Sequence, residues 1–166
     1  MAVAKLTLAQ LRELLHYDPK TGVFTQKTHR KGSGLTPGQT VGCLSSEGYV
    51  YIGLHYRRYR AHRLAWLWTT GNWPEAGIDH INGNRADNRW VNLRPATQAQ
   101  NGGNARRSSA NTTGLKGVSK WGNRWQAGIT QNYKRRHLGL FDTPEAAHAA
   151  YMRAAKKQFG KFARAA

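Results

Sequence analysis

Asp79 and His80 stand side by side in Ile78-Asp79-His80-Ile81-Asn82-Gly83; Asn92 follows twelve positions after the histidine and Asn101 nine after that. An adjacent acid and histidine also occur in ordinary surface turns, so the pair alone decides nothing. Its surroundings add a tight-turn signal at Asn82-Gly83 and an apolar triplet at Trp90, Val91 and Leu93. A hairpin followed by a helix would bring Asp79, His80 and Asn101 onto one side. Hydrolysis of a phosphodiester needs such a set. Water is a poor nucleophile at neutral pH, and histidine, with an ordinary pKa of about 6.5, is suited to take its proton. Charge also builds on the phosphoryl oxygens and on the leaving oxygen, where a hard divalent cation with oxygen ligands can hold both. An aspartate carboxylate and an asparagine amide oxygen are acceptable ligands that leave coordination sites for phosphate and water.

Composition points the same way. Among 166 residues, 26 are Lys or Arg and 8 are Asp or Glu, a formal net charge of +18 spread along the chain. That excess implies a polyanionic partner, nucleic acid first. Six Trp and seven Tyr argue against a disordered basic tail. No apolar run approaches the roughly 20 residues of a membrane span. The opening MAVAKLTLAQLREL has no secretory core or cleavage site, so a cytoplasmic, non-secreted protein is expected. The lone Cys43 excludes an internal disulfide and a multi-cysteine zinc site.

Elements must position these residues. Thr7 as N-cap, with Leu8, Leu11, Leu14 and Leu15 at helical spacing, predicts a short helix within residues 1–18. A turn at 18–22, a strand over Val23–Gln26 and a basic loop at 28–40 follow, with Lys27, Arg30 and Lys31 as candidate DNA contacts. Residues 48–60 read as a hairpin, with Tyr49, Tyr51 and Gly53 on one face and Val50, Ile52 and Leu54 on the other. Ala61–Thr70 reads as a helix, with Leu64, Ala65, Leu67 and Trp68 inward and Gly71 as its stop. Thr97 caps a short helix running toward Asn101. The polar run GGNARRSSANTT at 102–113 reads as a linker. Three strands follow at 117–120, 124–130 and 135–140, and then an alanine-rich helix opened by Thr143-Pro144-Glu145. The expected fold is α+β, with a catalytic domain at 1–104, a linker at 105–113 and a second domain at 114–166.

With those motifs set out, residues 48–104 resemble the HNH, or His-Me finger, endonucleases of phages and mobile elements. The likeness runs through His62-Arg63-Leu64-Ala65-Trp66, Ile78-Asp79-His80-Ile81-Asn82-Gly83, Asp87-Asn88-Arg89, Asn92-Leu93-Arg94 and Asn101. It implies a ββα-metal nuclease module, with His80 as general base and Asp79 and Asn101 as ligands of Mg²⁺ or Mn²⁺. It makes Asn92 a structural residue pinning the loop that orients His80. Asn101 stands where other branches carry His, as it does in the homing-nuclease branch. The cysteine pairs that hold structural zinc in some relatives are missing, so no such zinc is expected. Arg94 is a candidate contact to the scissile phosphate or a surface residue. His62 reads as a hydrogen-bonded structural residue, and Asn82, Asn84 and Asn88 read as turn residues.

In the last third, Arg124, Gln126 and Thr130 share one face of the middle strand, and Arg135 and His137 project from the next. An antiparallel ribbon fits the DNA major groove, where Arg reads guanine and Gln reads adenine. A generic solvated sheet face would carry similar residues. Residues 114–164 resemble the plant ethylene-response-factor (APETALA-two type) DNA-binding domain, through Lys116-Gly117-Val118, Trp121-Gly122, Trp125-Gln126-Ala127-Gly128-Ile129, residues 138–143 and 145–151. The likeness implies a three-stranded antiparallel sheet packed on one helix that binds duplex DNA through Ser119, Trp121, Arg124, Gln126, Thr130, Arg135 and His137. His137 stands in place of the plant tryptophan and Gly128 also departs, so the plant target is not implied.

The combined expectation is a metal-dependent, phage-encoded endonuclease acting inside the bacterial host, with no membrane partner. With one active site per chain it would nick as a monomer or break both strands as a DNA-induced dimer. A catalytically inactive DNA-binding regulator would share the charge and the sheet face, but has no need of Asp79, His80, Asn92 and Asn101 together. An RNA-binding protein is disfavoured because the sheet lacks the Lys/Arg-Gly-Phe/Tyr run of RNA-recognition sheets.

Overall fold

The structure, a computed structural model, describes residues 6–29, 34–108, 110–131 and 134–165. Arg30 and Lys31 lie outside them. Contacts divide the chain into two compact units, Met1–Pro95 and Ala96–Ala166.

The first unit opens with α1 (Leu8–Leu14). Thr7 caps it reciprocally: its hydroxyl accepts from the Gln10 N–H, and the Gln10 side chain accepts from the Thr7 N–H at 3.0 Å. The helix is shorter than its leucine spacing suggests. Leu15–Asp18 is instead β1, antiparallel to β2 (Val23–Gln26), with Leu15 and Tyr17 fully buried and His16 exposed. The period of two wins here because β2 supplies a ladder and both inward residues reach the core. β2 also pairs with β3 (Thr40–Val41). A second antiparallel sheet runs in the order β4 (Cys43–Leu44), β5 (Val50–Leu54) and β6 (Arg57–Arg60). The β5–β6 turn puts His55 and Tyr56 at φ of 48° and 59°, the double left-handed geometry of a tight hairpin without its usual glycine. Ile52 and Leu54 face the core, as their alternation predicts. α2 (Ala61–Thr70) buries Leu64, Ala65 and Leu67 and stops at left-handed Gly71. β7 (Gly77–His80) then pairs with β8 (Leu93–Ala96), and a single helical turn at Trp90–Asn92 leads into β8. Of the apolar triplet, Trp90 packs on Trp66 of α2 and Leu93 is buried, while Val91 is 78% exposed.

The second unit begins with α3 (Gln98–Asn104), capped by Thr97 and Gln100 in the same reciprocal way. β9 (Val118–Trp121), β10 (Arg124–Gln131) and β11 (Lys134–Phe141) form an antiparallel sheet with β10 central. α4 (Pro144–Phe159) covers one face. Its buried Ala147 and Ala155 let it lie close, and Tyr151 and Phe159 fill the gap beside Ile129. Gly117 sits so close to Tyr151 that a Cβ there would fall 2.1 Å from the ring.

The expected division differs in one respect. α3 packs against α4 and the turn Gly160–Phe162, so the compact units part at Pro95 and Ala96 and not near residue 110. The stretch read as a linker is tied down. Lys116 Nζ donates to the Gly103 carbonyl at 2.8 Å, and Asn111 Nδ2 donates to the Leu115 and Val118 carbonyls at 3.0 and 3.3 Å. Of its polar residues, which suggested solvent, Arg107, Asn111 and Thr113 bond to backbone oxygens. Among the described residues no helix is long and apolar enough to cross a membrane.

Candidate active site and nucleic-acid interface

β7 delivers Ile78, Asp79 and His80 into the first unit, all three buried. The chain then makes a loop, residues 81–92, and returns as β8. The loop is closed by its asparagines. Asn92 Oδ1 accepts from the Asn82 N–H at 2.9 Å, and its Nδ2 donates to the Asp87 carbonyl at 2.8 Å. One buried side chain therefore pins both limbs. The Asp87 carboxylate accepts from Asn82 Nδ2 at 2.7 Å and from Arg89 at 2.6 and 2.8 Å, which lowers its pKa to about 2. Asn82 and Asn84 close turns, as their sequence context suggests.

Asn88 does more than turn. It is buried, and its Oδ1 lies 3.3 Å from His80 Nε2. Its Nδ2 is committed to the Ala86 carbonyl at 3.1 Å, which aims the amide oxygen at the histidine. An oxygen there requires a proton on Nε2, so the lone pair of neutral His80 sits on Nδ1. Burial lowers the pKa of His80, and the Asn88 contact and the charge of Asp79 oppose that shift in part. The imidazole is thus neutral, the state a general base needs. Asn88 is held in turn from the N-terminal strands. Tyr17 Oη donates to its carbonyl at 2.7 Å, and the Trp90 N–H donates to the Pro19 carbonyl at 3.0 Å.

His62, on α2, is packed edge-on to His80, with ring centres 4.9 Å apart, and Tyr49 lies 5.3 Å from it. Its Nδ1 has no hydrogen-bond partner among the described residues. Burial first, and then the neighbouring His80, push its pKa down to about 3. Its ring packs in an aromatic cluster, and the hydrogen bond expected of a structural histidine is not made at Nδ1.

Arg94 is not a surface residue. Its Nε donates to Asp79 Oδ2 at 2.8 Å and a terminal nitrogen lies 2.7 Å from the same oxygen, with side chains 12% and 9% exposed. Asp79 is an oxygen donor of the hard type a divalent cation prefers. Asn101, the second expected ligand, lies on α3 and belongs to the second unit. Among the described residues no group of three or more His, Cys, Asp or Glu could hold a metal.

The sequence model of the HNH endonuclease family matches residues 59–102, the stretch from the end of β6 into α3. Over 112 residues the chain is 33% identical to Protein 3.8 of Escherichia phage T7, covering 66% of this chain and 92% of that one. No solved structure matches it significantly. The chain belongs to the HNH endonuclease family. HNH nucleases generally use a divalent metal, and DNA is the substrate the family implies. The matched stretch of this HNH chain contains Asp79, His80, Asn92, Arg94 and Asn101. Asn88, His62 and Tyr17 took no functional role in the sequence reading. The signal for Asn88 lay in the repeated Asn-Asp-Asn composition of 82–88, which does not say which amide turns inward.

Beside the HNH site, the outer face of β5–β6 is a wall of arginine on tyrosine. Arg60 lies 4.5 Å and Arg85 4.9 Å over the Tyr49 ring, and Arg58 lies 4.7 Å over Tyr51. Tyr49 and Tyr51 two apart, with Arg58 and Arg60 two apart further on, carried this signal, which Arg85 lies outside. In the second unit the cross-strand register places Ser119 opposite Gln126, Trp121 opposite Arg124, Thr130 opposite Arg135, and Gly128 opposite His137. All seven expected DNA-contacting residues therefore share the face away from α4. Gln126 Nε2 and His137 Nδ1 are 2.9 Å apart, and Arg124 reaches Asp142 at 3.1 Å. The register shift between Ala127 and Gly128 leaves Leu138 as an extra residue without a partner on β10, and that leucine packs on the core.

Proposed function

We propose that this HNH protein is a metal-dependent endonuclease of the homing type, hydrolysing phosphodiester bonds in duplex DNA. The observation that carries the reading is His80: buried, with Nε2 facing the amide oxygen of an asparagine fixed at its other end. Nδ1 takes the proton of the attacking water, and the imidazolium that forms is stabilised by adjacent Asp79. Asn92 keeps the loop, and hence the ring, from drifting. Asp79 and Asn101 would hold a single Mg²⁺ or Mn²⁺, which when bound supplies positive charge to the phosphate and the 3′-oxygen leaving group. Arg94 holds the Asp79 carboxylate in place. The second unit, by its likeness to the ethylene-response-factor domain, selects the site through Ser119, Trp121, Arg124, Gln126, Thr130, Arg135 and His137 in the major groove. A phage relative supports a phage-encoded enzyme working inside a bacterial host. It would nick as a monomer or cut both strands as a DNA-induced dimer.

The test is supercoiled plasmid and a phage genomic library, incubated with Mg²⁺ or with EDTA, beside His80→Ala. Metal-dependent cutting that disappears in the variant, with duplex binding retained, is expected. Equal cutting by the variant would remove His80 from the role. A parent that binds duplex but cuts neither substrate with any divalent metal would make the chain a DNA-binding regulator.

A further inference from the structure

Residues 106–108 and 110–113 run beside the sheet of the second unit and, with β9 and part of β10, enclose an open cleft of about 620 Å³. Five cations line it, Arg106, Arg107, Lys116, Lys120 and Arg135, and among the described lining residues there is no carboxylate. Ser119 and Thr130 add hydroxyls to its sheet side. Like charges held along one trough repel each other at close range unless an anion joins them.

The wall is built, not draped. Arg107 donates to the Asn111 carbonyl at 2.9 Å, and Asn111 in turn donates to two carbonyls of the strand approach. Lys116 turns its ammonium to the Gly103 carbonyl and so fastens the base of the wall. On the opposite side, Gly128 has no side chain to obstruct Arg135. A Cβ there would fall 2.8 Å from the Arg135 Nε, and its absence lets the guanidinium lie across β10 to within 3.5 Å of Ser119 Oγ. The trough is larger than one phosphate needs, and cations come to it from the wall residues, from β9 and from β11. Several cations in one trough suit a chain that repeats its phosphate along its length.

We infer that this cleft grips the sugar-phosphate backbone of one DNA strand, and that residues 106–108 and 110–113 form the outer wall of a clamp. The inference rests on the proposal that the second unit binds DNA. Through Arg106 and Lys120, which stand apart from the residues assigned to site selection, it adds contacts that supply affinity and register without reading bases.

The full chain is titrated with duplexes of several sequences in EDTA across a range of salt. Arg106→Gln with Lys120→Gln removes two exposed cations. Each lost phosphate contact should flatten the slope of log affinity against log salt by about 0.9, so a flattening of about two is expected, alike for every sequence. Gly128→Ala keeps every charge but displaces Arg135, and a smaller loss in the same direction is expected. Gln126→Ala should leave the slope as it is. A parental slope in the double variant, or a loss confined to one sequence, would overturn the clamp while the second unit still bound DNA. A parent without salt-sensitive duplex binding would instead remove the DNA-binding role of the whole unit. Structured RNA that displaces the duplex at matched salt would overturn the choice of DNA.

Discussion

His62 and Arg94 show what burial does to single charged or chargeable groups. A free histidine has a pKa of about 6.5, and in the folded chain that of His62 falls to about 3. The unfolded state therefore binds more protons anywhere between the two values. The stability this group supports is complete above about pH 6.5 and is lost as pH falls toward about 3, at roughly 1 kcal/mol per pH unit. His80, lowered in the same direction, adds to the loss. His62→Leu should remove part of this acid sensitivity. Denaturant melts at pH 7 and pH 5 check it: the parent should lose clearly more stability than the variant, and equal losses would mean His62 is not the buried neutral group. Arg94 presents the converse case, a charge that is useful because another is buried with it. Arg94→Leu removes the ion pair from the buried Asp79 carboxylate, a change that costs about 3–5 kcal/mol for buried pairs. Asp79→Asn made together with it should recover part of the loss in the same melts. No recovery would show that the arginine acts through packing alone.

The loop at 81–92 is an element supported from elsewhere in sequence. Its internal clamp, Asn92 on Asn82 and Asp87, comes from within the motif, but its floor is the β1–β2 turn. Gly22, at φ +76°, lies against the backbone of Asn88 and Arg89, and a Cβ there would fall 2.4 Å from the Arg89 N. No side chain fits without moving the residue that orients His80. Gly22→Ala should therefore cost about 1–3 kcal/mol through backbone strain and contact together, and should lower cleavage more than the melt alone explains. Gly34→Ala is the control. That glycine shares the left-handed φ, at +66°, but nothing lies within 4 Å of its Cβ position. It should cost about 1 kcal/mol and leave cleavage unchanged. Matching effects from the two substitutions would sink the buttress argument.

At the scale of the molecule, two units each carry their own buried cluster. One gathers Leu11, Leu15, Phe24, Ile52, Leu54 and Leu64, and the other gathers Ile129, Tyr151, Ala155 and Phe159. Calorimetry should resolve two transitions. Leu64→Ala should lower one and Ile129→Ala the other, each by about 2–5 kcal/mol of local stability, the usual cost of emptying a packed site. A single transition moved equally by both would make the chain one cooperative body. The formal charge of +18 belongs to this scale too, since it sets a salt dependence no single residue accounts for.

Much of this was legible in order along the chain. Thr7, Thr97 and Thr143 announced three helix starts because a capping hydroxyl bonds within three residues of itself. The alternation in 124–130 placed the polar and apolar faces of β10 because side chains on a strand change sides at every residue. The Asp79-His80-Asn92 spacing marked the loop, and in the structure Asn92 bonds to both of its limbs. What the sequence could not display was contact between distant segments. Leu15 carries the same leucine signal whether it ends a helix or begins a strand, and only pairing with β2 settles the matter. Asn88 differs from Asn82 and Asn84 only in what the Tyr17 hydroxyl and the Gly22 turn press against it. The run at 105–113 is polar enough for a linker, and only the fold shows that Asn111, Thr113 and neighbouring Lys116 find carbonyls to bind. Local chemistry determined caps, faces and the Asp79-His80 pair. Burial, which depends on what the rest of the chain brings near, decided which asparagine aims the histidine and which arginine holds the aspartate.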